Sequence, residues 1–412
     1  MSLVMLLLLM TISPVALISS LFGINYNYSK IKYYLPLLVV ALSLIAYQYV
    51  PMQSNDLLKY YHTIEIVGEM NLLEAIDYLE DGLLIKNFLF WILGKTGMPQ
   101  MLPMITAAIV YGVMFYISYD CAKEYCCQQD LFKILIIQFF SISFFGQLGT
   151  VRSCIAYAIV ILAVYLDLYK RKRNLITYVI YIIPCFIHIT ALLLIGIRLL
   201  FYISNHIRKI AIIGIMSLST IELISRSDFS RIFGGYGQLF FAKWDYYVHK
   251  GGTSAWDIYI DHNLGFQVYK YIMLFLILIL LYMYFYIKRR YKRMYLKSGH
   301  VYDYNTFEFC LCVVACLTII FMHGNNCERF ISAAIIGSGS ILAPIFGKHN
   351  FFYKNKNLSV VKLCMVFALI PIVVYHVHID KWSVDWKNIS LSFLNNNIYL
   401  LLFRLLENLL RI

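Results

Sequence analysis

Apolar runs follow one another along almost the whole chain, and they limit what it can fold into more than any other feature. They lie near residues 3–22, 33–50, 100–119, 131–147, 151–168, 175–204, 209–225, 266–287, 306–323, 329–347 and 358–378, with a further one at 391–410. A hydrocarbon layer about 30 Å thick is crossed by ~20 apolar residues in a helix, so runs of this length read as membrane spans. The expected fold is all-α: a polytopic integral membrane protein of roughly 11–14 transmembrane helices, folded as a single transmembrane domain.

Composition agrees with this. Of the 412 residues, 61% are hydrophobic and 14% charged, too few charges to clothe a water-facing surface of ordinary size. The longest mainly polar stretches, 51–82 and 226–263, fall short of the roughly 50 residues that a separate domain needs. The net charge of +13 is spread over short basic clusters between apolar runs, so it is topological and speaks against nucleic acid as a partner. Most of the ten cysteines sit inside apolar runs, and Cys310, Cys312 and Cys316 have no second ligand group at zinc spacing. They read as core packing, with no metal and no cofactor expected. The first twenty-odd residues lack the basic start and the small-residue cleavage site of a signal peptide, and read as the first span.

Lys and Arg near span ends stay on the cytoplasmic side. The strongest such clusters are Lys170-Arg171-Lys172-Arg173 and Lys288-Arg289-Arg290 with Lys292 and Arg293. With these inside, the loops 51–82, 226–263 and 379–390 face outward. Two places depart from simple crossings. The run 175–204 would be about 45 Å long as one helix, and Pro184 removes a backbone donor inside it one turn before His188. A broken or re-entrant helix is expected there, with the break toward the outer side. The segment 83–94 is apolar but short and carries Lys86, which suits an interfacial or re-entrant helix. Interface anchoring accounts for most of the 35 tyrosines. The chain has no detectable internal repeat.

Charged groups within a span are costly and usually face a cavity or a partner. Arg152 lies eighteen residues before Lys170, ~27 Å along a helix from the cytoplasmic edge. Arg329 lies nineteen residues before Lys348, about 28 Å on the same measure. His188 is fourteen residues beyond Asn174, about 21 Å from that edge, so all three meet near the outer leaflet. The plain alternative is that the arginines snorkel and His188 is a satisfied core histidine. Against it stand the membrane-adjacent carboxylates Asp56 and Glu328 in a chain with few acids. Two arginine forks with no excess of nearby acid suit phosphate or pyrophosphate, so an anionic lipid-linked substrate is the natural ligand. Other motifs carry less. Gly234-Gly235-Tyr236-Gly237 lacks the Lys-Ser/Thr of a phosphate loop, and His376-Val377-His378 reads as an interfacial pair without further metal ligands.

Three passages resemble the EpsG branch of the Wzy-type polysaccharide polymerases. Asn55-Asp56-Leu57-Leu58-Lys59-Tyr60-Tyr61 is similar to the family's acidic-then-tyrosine element. Thr150-Val151-Arg152-Ser153-Cys154-Ile155-Ala156, followed by Ile187-His188-Ile189-Thr190-Ala191, is similar to its arginine span and its histidine element, with Thr190 where a serine often stands. Cys327-Glu328-Arg329-Phe330 resembles the distal arginine element. The resemblance implies a multi-pass protein of the bacterial inner membrane that joins undecaprenyl-pyrophosphate-linked oligosaccharide repeats of O-antigen, capsule or exopolysaccharide at the outer face. Such a glycosyltransferase needs neither a nucleotide sugar nor a metal. Membrane lipid surrounds it, and a chain-length regulator is an implied partner. Arg152 and Arg329 would bind pyrophosphate, His188 would deprotonate the acceptor or bind phosphate, and Asp56 is the reserve base. Tyr60 and Glu328 would contact glycan. An O-antigen ligase, or a flippase or transporter of the lipid-linked unit, would use the same residues.

Overall fold

The protein is described here from a computed structural model covering residues 31–52, 55–79, 82–125, 127, 130–202, 264–298, 306–320, 327–346 and 369–376. The runs 3–22, 209–225 and 391–410 and the loops 226–263 and 379–390 lie outside the described residues, as does most of 358–378. The chain is all-α, with no strand among the described residues. Three described helices are long and apolar enough to cross a membrane unaided: Met101–Glu124, Val151–Tyr169 and Tyr271–Arg289. A fourth crossing is made if the pair Glu328–Gly337 and Gly339–Phe346, bent by 49°, counts as one.

Helix Met101–Glu124 is the hub. It packs on Ile31–Tyr47, on Val151–Val164, and on both limbs of the bent pair. Small residues make the closest approaches possible, as expected where lipid-like surfaces must gain by van der Waals contact. A Cβ on Gly339 would lie 2.7 Å from Ser118 Cα, and one on Gly337 would lie 2.6 Å from a Leu311 methyl. Between these glycines Ser338 forms the bend, and buried Gln138 is hydrogen-bonded into it. Gln138 Nε2 donates to the Ile335 carbonyl at 3.0 Å and to Ser338 Oγ at 3.2 Å, while Ser118 Oγ donates to its Oε1 at 2.6 Å. A kink inside lipid thus has its loosened backbone group partnered.

The run 175–204 is broken as expected. An α-helix Leu175–Ile182 passes into a tight turn Ile183–Phe186 containing Pro184, and helix resumes at Ala191–Leu199. The segment 83–94 forms the helix Leu84–Lys95. The polar stretch 51–82 is also helical, with Asp56–Glu69 and Leu72–Leu79. Asn55 starts the first of these by accepting the Leu57 N–H at 2.9 Å. Leu57, Tyr61, Ile64 and Val67 then give it one buried stripe. This helix meets Leu84–Lys95 at a glycine pair, since a Cβ on Gly68 would lie 2.6 Å from the Gly94 carbonyl carbon.

At the end that leads into Lys170–Arg173, the Val151 helix widens into a π-helical turn Tyr165–Tyr169 that carries buried Asp167. Arg198 Nε donates to this carboxylate at 2.7 Å, Arg173 Nε at 2.9 Å and Tyr181 Oη at 3.2 Å. Beside it, Asp120 takes Tyr165 Oη and Lys170 Nζ, each at 2.6 Å. Both halves of the broken span are therefore tied to the Val151 helix on this side.

Candidate functional site

The opposite end of the same helices gathers the residues singled out in the sequence. The short helix Phe144–Gly149 turns at Thr150 into the Val151 helix, and the turn is held by Thr150 Oγ1 donating to the Gly146 carbonyl at 3.0 Å. Arg152 follows in the first helical turn. Its Nε donates to Tyr60 Oη at 3.1 Å, and its guanidinium carbon lies 4.8 Å from the Tyr60 ring centroid. Tyr60 is in turn backed by Phe90, with ring centroids 5.8 Å apart. Thus the Asp56 helix, braced on Leu84–Lys95, presents an aromatic platform for the guanidinium plane.

Arg329 occupies the first turn of Cys327–Gly337. That helix is joined to the Val151 helix by the stacked rings of Tyr157 and Phe330, 5.7 Å apart, and Gln147 Nε2 donates to Ser332 Oγ at 3.3 Å. Arg329 Nε is buried and has no hydrogen-bond partner among the described residues. No described carboxylate lies within ion-pair distance of Arg152 or Arg329. Both cations sit at helix N-termini, where the macrodipole disfavours positive charge. Helix electrostatics therefore do not explain them, whereas an anion there would meet the forks and the helix ends together.

His188 lies at the break, between the turn Ile183–Phe186 and the helix Ala191–Leu199. The charges of both Arg329 and Arg152 act on its ring. Its Nδ1 is 2.6 Å from Thr190 Oγ1, and that hydroxyl is 2.8 Å from Tyr157 Oη. The ring also meets Tyr157 edge-on at 6.4 Å. So Tyr60, Arg152, His188 and Arg329 are brought together from four separate stretches of chain.

A family model described as the EpsG family matches residues 32–390. The chain belongs to the EpsG family. None of the curated proteins and none of the solved structures matches it. The matched stretch contains every site residue named from sequence. Family and apolar helices together make this EpsG-family chain a membrane protein of polysaccharide biosynthesis.

Two of the singled-out acids are placed differently from the basic groups. Asp56 is exposed at the start of its helix and paired with Lys59 at 2.9 Å, one turn ahead of Tyr60. Glu328 is half-buried beside Arg329, and the charges of both reach the Cys154 thiol. Sequence reasoning missed Tyr157, which passes for one more interfacial tyrosine although it stands inside an apolar run. It also missed Asp167 and Arg198, which look like span-end residues near basic clusters.

Proposed function

We propose that this EpsG-family protein is a polysaccharide polymerase. It transfers a growing glycan from undecaprenyl pyrophosphate to a hydroxyl of a new lipid-linked repeat at the outer face of the bacterial inner membrane. The observation that carries the reading is the pair Arg152 and Arg329. They come from distant spans, the charges of both act on one histidine, neither has a carboxylate within ion-pair distance among the described residues, and one has a buried, unpartnered Nε. Such a wall suits a group carrying several negative charges, and pyrophosphate on a lipid carrier supplies it at this depth.

In the transfer, the acceptor oxygen forms the new bond to the anomeric carbon while the bond from that carbon to the pyrophosphate oxygen breaks. The electron pair leaves with the pyrophosphate, and the hydroxyl proton passes to a base or to the departing oxyanion. Charge grows on the leaving group as the bond breaks, so Arg152 and Arg329 bind the transition state more strongly than the ground state. The reaction needs no nucleotide sugar. Tyr60, already stacked on Arg152, would be a glycan contact beside the pyrophosphate.

Purified protein in lipid nanodiscs, given undecaprenyl-pyrophosphate-linked repeats, tests the reading. Chains longer than one repeat are the expected product. Transfer to lipid A core alone would make it a ligase, and translocation without a new glycosidic bond would make it a transporter.

A further inference from the structure

The hydrogen bonds of His188 fix which ring nitrogen carries the proton, and with it the role open to the residue. The hydroxyl of Thr190 is ambiguous, because it can donate to Nδ1 or accept from it across 2.6 Å. The backbone N–H of Thr190 is not ambiguous. It only donates, and it donates to the same Nδ1 at 3.3 Å. A proton on Nδ1 would point at that N–H, so the neutral ring has its lone pair on Nδ1 and its hydrogen on Nε2. Thr190 then donates its one hydroxyl proton to Nδ1, which leaves its oxygen to accept from Tyr157 Oη at 2.8 Å. No described residue hydrogen-bonds Nε2.

We infer that His188 offers a fixed Nε2–H to the anion held by Arg152 and Arg329, and acts as a hydrogen-bond donor to a phosphate oxygen instead of as the base that takes the acceptor's proton. A general base at this position would need its lone pair on Nε2, the nitrogen to which the Thr190 backbone assigns the hydrogen. The chain Tyr157, Thr190, His188 is then a donor relay running toward the leaving group. The break after Pro184 is what makes it possible, because a continuous helix would engage the Thr190 N–H with a carbonyl one turn back. The inference rests on the polymerase reading for the identity of the anion but not for the tautomer. The hydroxyl proton leaves on the departing pyrophosphate, so the balance of the transfer is kept.

Two measurements decide it. In nanodiscs, the nitrogen-15 spectrum of histidine-labelled wild type minus that of His188→Gln isolates the His188 signals. The expected result is a protonated Nε2 and an unprotonated Nδ1, and a protonated Nδ1 would overturn the inference. In the elongation assay, glutamine restores an N–H donor without imidazole basicity. His188→Gln is expected to stay within about tenfold of wild type, while His188→Ala loses on the order of a hundredfold, the range of a hydrogen bond to a charged group. Equal loss in both variants would show that basicity matters and would sink the donor role. If wild type elongates nothing, the polymerase reading fails, and the spectrum still settles the tautomer.

Discussion

Asp167 and Arg198, 31 residues apart in sequence, meet as an ion pair in which both side chains are withdrawn almost completely from the surface. Removing one partner of such a pair leaves an uncompensated buried charge, at a cost of about 3–5 kcal/mol. Asp167→Asn and Arg198→Leu are each expected to lower the melting temperature of the purified protein and its level in the membrane. The double variant should recover much of both losses. An Arg198→Leu variant as stable as wild type would show that the remaining donors on Asp167, Arg173 and Tyr181, suffice without Arg198.

For Arg152 and Arg329, substitution by lysine keeps the charge and the apolar stem but removes the planar fork. If the arginines grip pyrophosphate, each change should cost about 2–3 kcal/mol of transition-state binding, roughly a 30- to 160-fold fall in elongation rate, with protein level unchanged. A normal glycan ladder from Arg152→Lys at matched protein level would return that residue to snorkelling.

Tyr60 touches Arg152 through both its ring and its hydroxyl. Tyr60→Phe keeps the face on which the guanidinium rests and should lose only the charge-assisted hydrogen bond from Arg152, about 1.5 kcal/mol or roughly tenfold in rate. Tyr60→Ala removes the platform and should approach the severity of Arg152→Lys. Initial rates of elongation distinguish the two, and equal effects from Phe and Ala would put the weight on the hydroxyl.

The glycine contact between Asp56–Glu69 and Leu84–Lys95 admits no side chain. Gly68→Ala should force these helices apart and cost about 1–3 kcal/mol of stability, as overpacking does. Because Tyr60 rides on the displaced helix, elongation should fall by more than the loss of folded protein explains. A variant with wild-type activity per folded molecule would uncouple the helix pair from Arg152.

Orientation has its own check. In a cysteine-free background, a single cysteine at exposed Lys59 should react with a membrane-impermeant thiol reagent in cells whose outer barrier has been opened, and one at exposed Lys172 should not. Impermeant labelling at Lys172 would invert the arrangement.

The Val151 span and the Pro184 break are visible from hydropathy and one imino acid, because a membrane penalises each unsatisfied backbone group and proline must create one. The depths expected for Arg152, Arg329 and His188 come from counting residues to the basic turns, since helices rise by a fixed amount per residue, but the 49° bend after Gly337 breaks the straight rise assumed for Arg329. The bend at Ser338 escapes the same reading, since Gly337-Ser338-Gly339 sits in an unbroken apolar run and its cause, Gln138, is about 200 residues away in sequence. The tautomer of His188 is equally hidden, for it depends on how one backbone N–H is aimed after the break. Asp167 is illegible in the sequence because a charge near a basic cluster looks wet, and only the π-helical turn shows that it points inward.

The bend at Ser338 has a bearing on how such a protein can diversify. Its two flanking glycines are pressed against Ser118 and Leu311, so the limb that bears Arg329 takes its registration from contacts well inside the helix packing and not from its own end. Under the polymerase reading, residues away from the bend could be exchanged to suit different sugars while the anchorage for the carrier's charge would stay where it is.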